Sequence, residues 1–185
     1  MNDVTKSKSQ PRKAPIIKAS LKGNAPPRLR GADNRPIHRL WEQHDHALKL
    51  YRTSAYERVE IVKAGLPANY VKVLTVSMHM PLEKFYRTTG LARPTVDRKI
   101  RSSKRLSQDE SERVLGIARL IGQAQNLVGQ SGGAADFDAG RWVGDWLQKP
   151  LPALDGKSPG ELMDTVDGRK LVSDLLAQQQ SGAYG

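Results

Sequence analysis

From Ser54 onwards apolar residues recur at intervals of three and four, the spacing of a helix with one buried face. Ser54-Ala-Tyr-Glu57 has the form of a capping box, and the helix it opens is expected to close at Gly65-Leu66-Pro67. Residues 68–79 predict a second helix with Val71, Leu74 and Met78 on one face, although its Val and Thr content also suits a strand. Pro81 fits the start of a third, with Leu82, Phe85 and Tyr86 turned inward and Gly90 ending it. Pro94 fits the first turn of a fourth, whose narrow apolar stripe is Val96 and Ile100. Two short helices joined by Gly90-Leu91-Ala92 form a helix-turn-helix pattern.

A second capping box, Ser107-Gln-Asp-Glu110, opens a long helix expected to reach about Val128, with Val114, Ile117, Ile121 and Ala124 in helical register. Residues 129–135 read as a loop. Residues 138–148 read as a helix carrying Trp142 and Trp146 on one face, packed in the core or at a dimer interface. Ser158-Pro159-Gly160-Glu161 is a further helix start, and 166–179 predicts a last Leu-rich helix. No segment reads as a convincing strand, so the fold class is all-α.

Residues 1–39 differ from the rest. Five prolines, many Lys/Arg and scattered apolar residues predict a disordered arm, read either as added phosphate contacts or as a solubilising tail. The divisions expected are a basic Pro-rich arm over 1–50, a helix-turn-helix DNA-binding and dimerisation domain over 51–107, and a small helical domain with a C-terminal tail over 108–185.

The formal net charge of +11 is unevenly placed. It amounts to +8 over residues 1–39, +7 over 40–107 and −4 over 108–185. A change of sign along a chain predicts two surfaces with different partners, the basic one gaining affinity for phosphates by counterion release. The absence of cysteine removes disulfides, thiolate chemistry and the usual structural zinc sites. With no apolar leader after residues 1–13 and no stretch of membrane-spanning length, a cytoplasmic location is expected.

The strongest site-like feature is the second helix of the helix-turn-helix. Between Lys84 and Arg105 stand eight Lys/Arg and a single acid, Asp97. With Val96 and Ile100 inward, Thr95, Arg98 and Arg101 line the outward face, where arginines read guanine edges or clamp phosphates. Arg93, Lys99, Lys104 and Arg105 complete the DNA-binding set, the last three as phosphate anchors. The plainer alternative is a solvated basic face. His44-Asp-His46 reads as a polar loop or helix surface rather than a metal site, and residues 129–133 lack the strand and lysine of a phosphate loop. No arrangement of nucleophile and base, or of paired carboxylates, supports an enzyme, and no cofactor or small-molecule substrate is expected.

The C-terminal text carries more specific signals. It reads Trp146-Leu147-x-x-Pro150, then Pro152-Ala153-Leu154-Asp155-Gly156-Lys157-Ser158-Pro159, then Glu161-Leu162-Met163-Asp164-Thr165-x-x-Gly168-Arg169-x-x-Val172, and ends Gly182-Ala183-Tyr184-Gly185. This resembles the Xre/MbcA/ParS toxin-binding region of antitoxins paired with RES-domain toxins. The resemblance extends more loosely upstream, over about residues 56–185. It implies a homodimeric antitoxin whose helix-turn-helix binds operator DNA and autoregulates its operon. It also implies a RES-domain toxin partner that degrades NAD or transfers its ADP-ribose, covered at its active site by the antitoxin's C-terminal region. Gly182, Ala183, Tyr184 and Gly185 are then the toxin-binding tail, Tyr184 its one bulky anchor; the alternative is that this tail merely frays. The basic arm and the Arg93-Pro94 start of the recognition helix depart from the family pattern. A stand-alone helix-turn-helix regulator, whose C-terminal region only dimerises, is the rival reading.

Overall fold

The computed structural model describes residues 45–132 and 137–180. Eight α-helices run through them: α1 His46–Arg52, α2 Ala55–Ala64, α3 Tyr70–Ser77, α4 Leu82–Thr89, α5 Arg93–Arg101, α6 Gln108–Gln130, α7 Ala139–Trp146 and α8 Val166–Gln180. Short 3₁₀ turns cover Pro152–Leu154 and Pro159–Leu162. Among the described residues there is no strand, only an isolated antiparallel bridge between Pro67 and Arg105. The all-α expectation holds.

α6 organises everything else. Val114, Ile117, Ile121 and Ala124 are buried on the predicted stripe, but Leu115, Ala118, Leu120 and Gln123 are buried as well. A helix covered on more than one side needs neighbours on more than one side, and α1, α2, α7 and α8 all pack on it. Its capping box forms as the sequence predicts: the Glu110 amide donates to Ser107 Oγ (3.3 Å), and the Ser107 amide donates to Glu110 Oε2 (2.7 Å). The helix continues through Gly129 to Gln130, two residues into the stretch read as a loop.

α1 occupies residues that sequence placed in the arm. Its backbone lies directly against α6: a Cβ at Gly122 would sit 2.1 Å from the Ala47 carbonyl oxygen. Ala47 and Leu50 are buried, and Arg52 donates from Nε and Nη2 to Asn126 Oδ1. His46, expected in a polar loop or on a helix surface, is instead buried edge-on against Tyr70, ring centroids 5.3 Å apart.

The C-terminal segment differs in one respect from its reading. Ser158 does start a turn, its amide donating to Glu161 Oε1 at 2.9 Å, but the turn lasts four residues. Gly160 lies against Leu147, to whose carbonyl its own amide donates at 2.9 Å. Gly168 in the first turn of α8 packs so closely on Leu162 that a Cβ would be 1.9 Å from its carbonyl oxygen. The chain therefore breaks and restarts, with Thr165 Oγ1 accepting from the Gly168 amide at 3.0 Å. Gln123 and Ser173 then lock α8 to α6 by reciprocal hydrogen bonds, Gln123 Nε2 to the Ser173 carbonyl and Ser173 Oγ to Gln123 Oε1.

Candidate nucleic-acid and partner interfaces

α4 and α5 make the helix-turn-helix, and the turn between them depends on Gly90, left-handed at φ +66°. Phe85, Tyr86 and Thr89 face the core from α4, and Val96 and Ile100 face it from α5. Two ties fix the second helix against the first, and a third holds the turn between them from α6. Tyr86 donates its hydroxyl to Asp97 Oδ1 at 2.5 Å. Arg93 bridges Glu83 on α4 (2.5 Å) and Asp97 on α5 (3.4 Å). From α6, Arg113 Nη1 donates to the carbonyls of Thr89 and Gly90, 3.3 Å each, while its Nε holds Asp109. Burial and the neighbouring Asp97 carboxylate both raise the Tyr86 phenol well above its ordinary value, so it remains a donor.

This frame divides the basic residues into two groups. Lys99 is mostly buried and ion-paired with Glu110, the acid of the α6 capping box. Burial alone pushes the Glu110 carboxyl up; the Lys99 ammonium and the Ser107 amide outweigh it, so the group lies below the ordinary glutamate value. Arg105 Nη1 donates to the Gly65 carbonyl at 2.6 Å. The backbone beside it is clamped as well, Ala68 N to Lys104 O (3.1 Å) and Leu106 N to Leu66 O (2.8 Å). Arg93, Lys99 and Arg105 are thus occupied within the fold. Arg98, Arg101 and Lys104 are exposed and make no ion pair among the described residues, with Thr95 half-buried at the head of the same helix.

Sequence reasoning read Tyr86 only as an inward residue and Asp97 only as a lone acid, and gave Ser111 no structural role. Ser111 is buried, and its Oγ accepts from the Leu66 amide at 2.9 Å across 45 residues. A small polar residue three positions before Val114, on an otherwise apolar stripe, was the available signal.

Gly182, Ala183, Tyr184 and Gly185 lie outside the described residues, as does His44. Before that tail, Trp142 stacks on Trp146 with centroids 5.8 Å apart and planes 12° from parallel. Trp146 is buried; Trp142 is half-buried and, with Leu127, Phe137 and Leu176, lines a shallow apolar pocket of about 270 Å³. The 3₁₀ turn Pro159–Leu162 packs on α4, so the C-terminal text reaches the helix-turn-helix itself. Among the described residues no group of three His, Asp or Glu side chains is placed to hold a metal ion, and no helix is long and apolar enough to cross a membrane.

Two family descriptions match the chain. Residues 57–119 match the antitoxin Xre-like helix-turn-helix domain, and residues 123–182 match the antitoxin Xre/MbcA/ParS C-terminal toxin-binding domain. The two matches meet inside α6. A Sphingobium protein named "Prs ADP-ribosylating antitoxin" is 41% identical over 135 residues, covering 73% of this chain and 85% of that one. A Yersinia enterocolitica "Antitoxin Xre" is 25% identical over 126 residues, covering 68% and 80%.

Proposed function

The chain belongs to the Xre/MbcA/ParS antitoxins, a non-enzymatic family, and from that membership we propose that it neutralises a RES-domain toxin through its C-terminal region and represses its own operon through the helix-turn-helix. The observation that carries this reading is the joining, on one shared helix, of a toxin-binding match to a helix-turn-helix with unpaired basic side chains. In this reading α5 enters the major groove, with Arg98, Arg101 and Lys104 on bases and phosphates and Thr95 near the backbone. Arg93, Lys99 and Arg105 act behind them as supports. A homodimer brings two such helices to successive grooves.

On the toxin side, residues 182–185 cross the entrance of an NAD-using site, with Tyr184 as the bulky anchor and the glycines giving reach. The DNA-contacting part lies within 51–107 and the main toxin-contacting part within 108–185, the basic arm ends before α1, and the protein works in the cytoplasm.

The test is co-expression with the neighbouring toxin gene, following growth and NAD level. The full chain should restore both. A chain lacking residues 181–185 should restore them poorly, and full rescue by that deletion rules the tail out as the active-site cover.

A further inference from the structure

A trough of about 620 Å³ lies between α2 and α8 with α6 beneath it. Val59 and Val62 line one wall, Val166 the other, and Leu115 and Leu120 the floor. Tyr56, Val59, Val166 and Leu171 are four of the five large apolar side chains most exposed among the described residues, and all four stand on the two helices that wall it. Val59 and Val166 line the trough itself, and exposed apolar walls of this kind mark a protein-contact surface rather than ordinary scatter.

Its charges are not balanced internally. Lys170 is paired with Asp174 at 2.6 Å, and Lys63 with Glu60 at 3.4 Å. Arg169 donates to the Met163 carbonyl (3.2 Å); burial and then the Arg113 charge lower its affinity for its proton, against the carboxylates of Glu112, Asp109 and Asp164. Arg58 is left with only the Thr53 carbonyl, and Arg119 has no hydrogen bond or ion pair among the described residues. These two guanidiniums face the same trough: partial desolvation, then the Arg58 charge, lowers the affinity of Arg119 for its proton. A pair of arginines without a counter-ion is a receptor for carboxylates, which guanidinium binds in a fork.

We propose that this trough is a second toxin contact, receiving an acidic, apolar-faced segment of the toxin whose carboxylates meet Arg58 and Arg119. The inference rests on the toxin-partner reading above. Apolar walls disfavour a nucleic-acid backbone as occupant. A second copy of this chain, placed by a two-fold axis over the trough, would bring the same two guanidiniums against their equivalents. An acidic partner suffers neither objection, and one wall of the trough, α8, lies within the toxin-binding match.

The experiment uses the full-length chain and the purified neighbouring toxin. Affinity is measured at low and high salt for the wild type, Arg119→Gln, Arg119→Glu and the double variant Arg58→Gln/Arg119→Gln. Arg119 makes no internal bond that its replacement would break, so the two single variants should melt like the wild type, and the double variant, which also gives up the Arg58–Thr53 bond, slightly below it. Arg119→Glu should weaken toxin binding about tenfold or more, and the double Gln variant should show a flatter salt dependence. Wild-type affinity in a folded Arg119→Glu protein overturns the proposal, as does loss of the protein's own dimer with toxin affinity intact. A wild-type chain that does not bind the toxin at all overturns the partner reading itself, an outcome separate from one in which wild type binds and the variants match it.

Discussion

Tyr86 donates its hydroxyl to Asp97 at 2.5 Å, joining the middle of α4 to the middle of α5 across the turn at Gly90. The bond is charge-assisted and its donor is buried, so it fixes the angle at which α5 leaves the body.

Tyr86→Phe keeps the ring and removes only that bond. It should cost about 1–2 kcal/mol in denaturant unfolding and also weaken operator binding, because α5 loses its fixed angle. A Phe variant as stable as wild type would show that Arg93 alone positions Asp97.

The basic residues should separate into two phenotypes. Arg98→Ala and Arg101→Ala should leave the melting temperature unchanged and weaken operator binding, with the salt slope falling by about one unit per lost phosphate contact. Arg105→Ala and Lys99→Ala should destabilise the fold, the first by freeing the Gly65 carbonyl, the second by stranding Glu110. Equal losses of DNA affinity with no loss of stability at all four positions would put Lys99 and Arg105 on the DNA instead.

Glu110 sets an acid limit. Its folded-state pKa is depressed relative to the unfolded chain, so its contribution to stability is present above the ordinary value of 4.5 and is lost as pH falls through the lower folded value. Unfolding free energy should therefore decline below about pH 4.5, and Glu110→Gln should make that decline shallower while lowering stability at neutral pH. Denaturant titrations at pH 7 and on either side of pH 4 measure both effects.

Gly122→Ala should detach α1 rather than unfold the protein. The added methyl meets the Ala47 carbonyl, backbone that cannot rotate away, at a cost of about 1–3 kcal/mol. Hydrogen exchange should lose protection over His46–Arg52 while the centre of α6 stays protected. Unchanged exchange in α1 would show that the α6 backbone yields there.

What could be read in advance follows the range of the forces involved. Capping boxes at Ser54 and Ser107 use residues three apart, and the apolar stripes of α4, α5 and α6 are periodic within each helix, so those elements were visible. α1 was not. It is held by Gly122 and Asn126, more than seventy residues away, and its own seven residues are too short a run for an apolar period to show. The candidate DNA face was legible as charge but not as occupancy. Sequence displays Lys99 and Arg105 beside Arg98 and Arg101, while the partners that engage them, Glu110 and Gly65, come from other elements. The third box, at Ser158, was read correctly as a start, but tight packing of Gly160 and Gly168 on neighbouring carbonyls limited the turn's length.

α6 begins in the helix-turn-helix match and ends in the toxin-binding match, and both sets of neighbours bury side chains on it. The protein therefore cannot be recombined at its functional seam. A chimera crossing over near residues 119–123 would join two halves of one helix whose faces were selected against different neighbours. Exchange of partner specificity between relatives should succeed only where the crossover lies before Ser107 or beyond Gln130, so that the helix is inherited whole with one set of its neighbours.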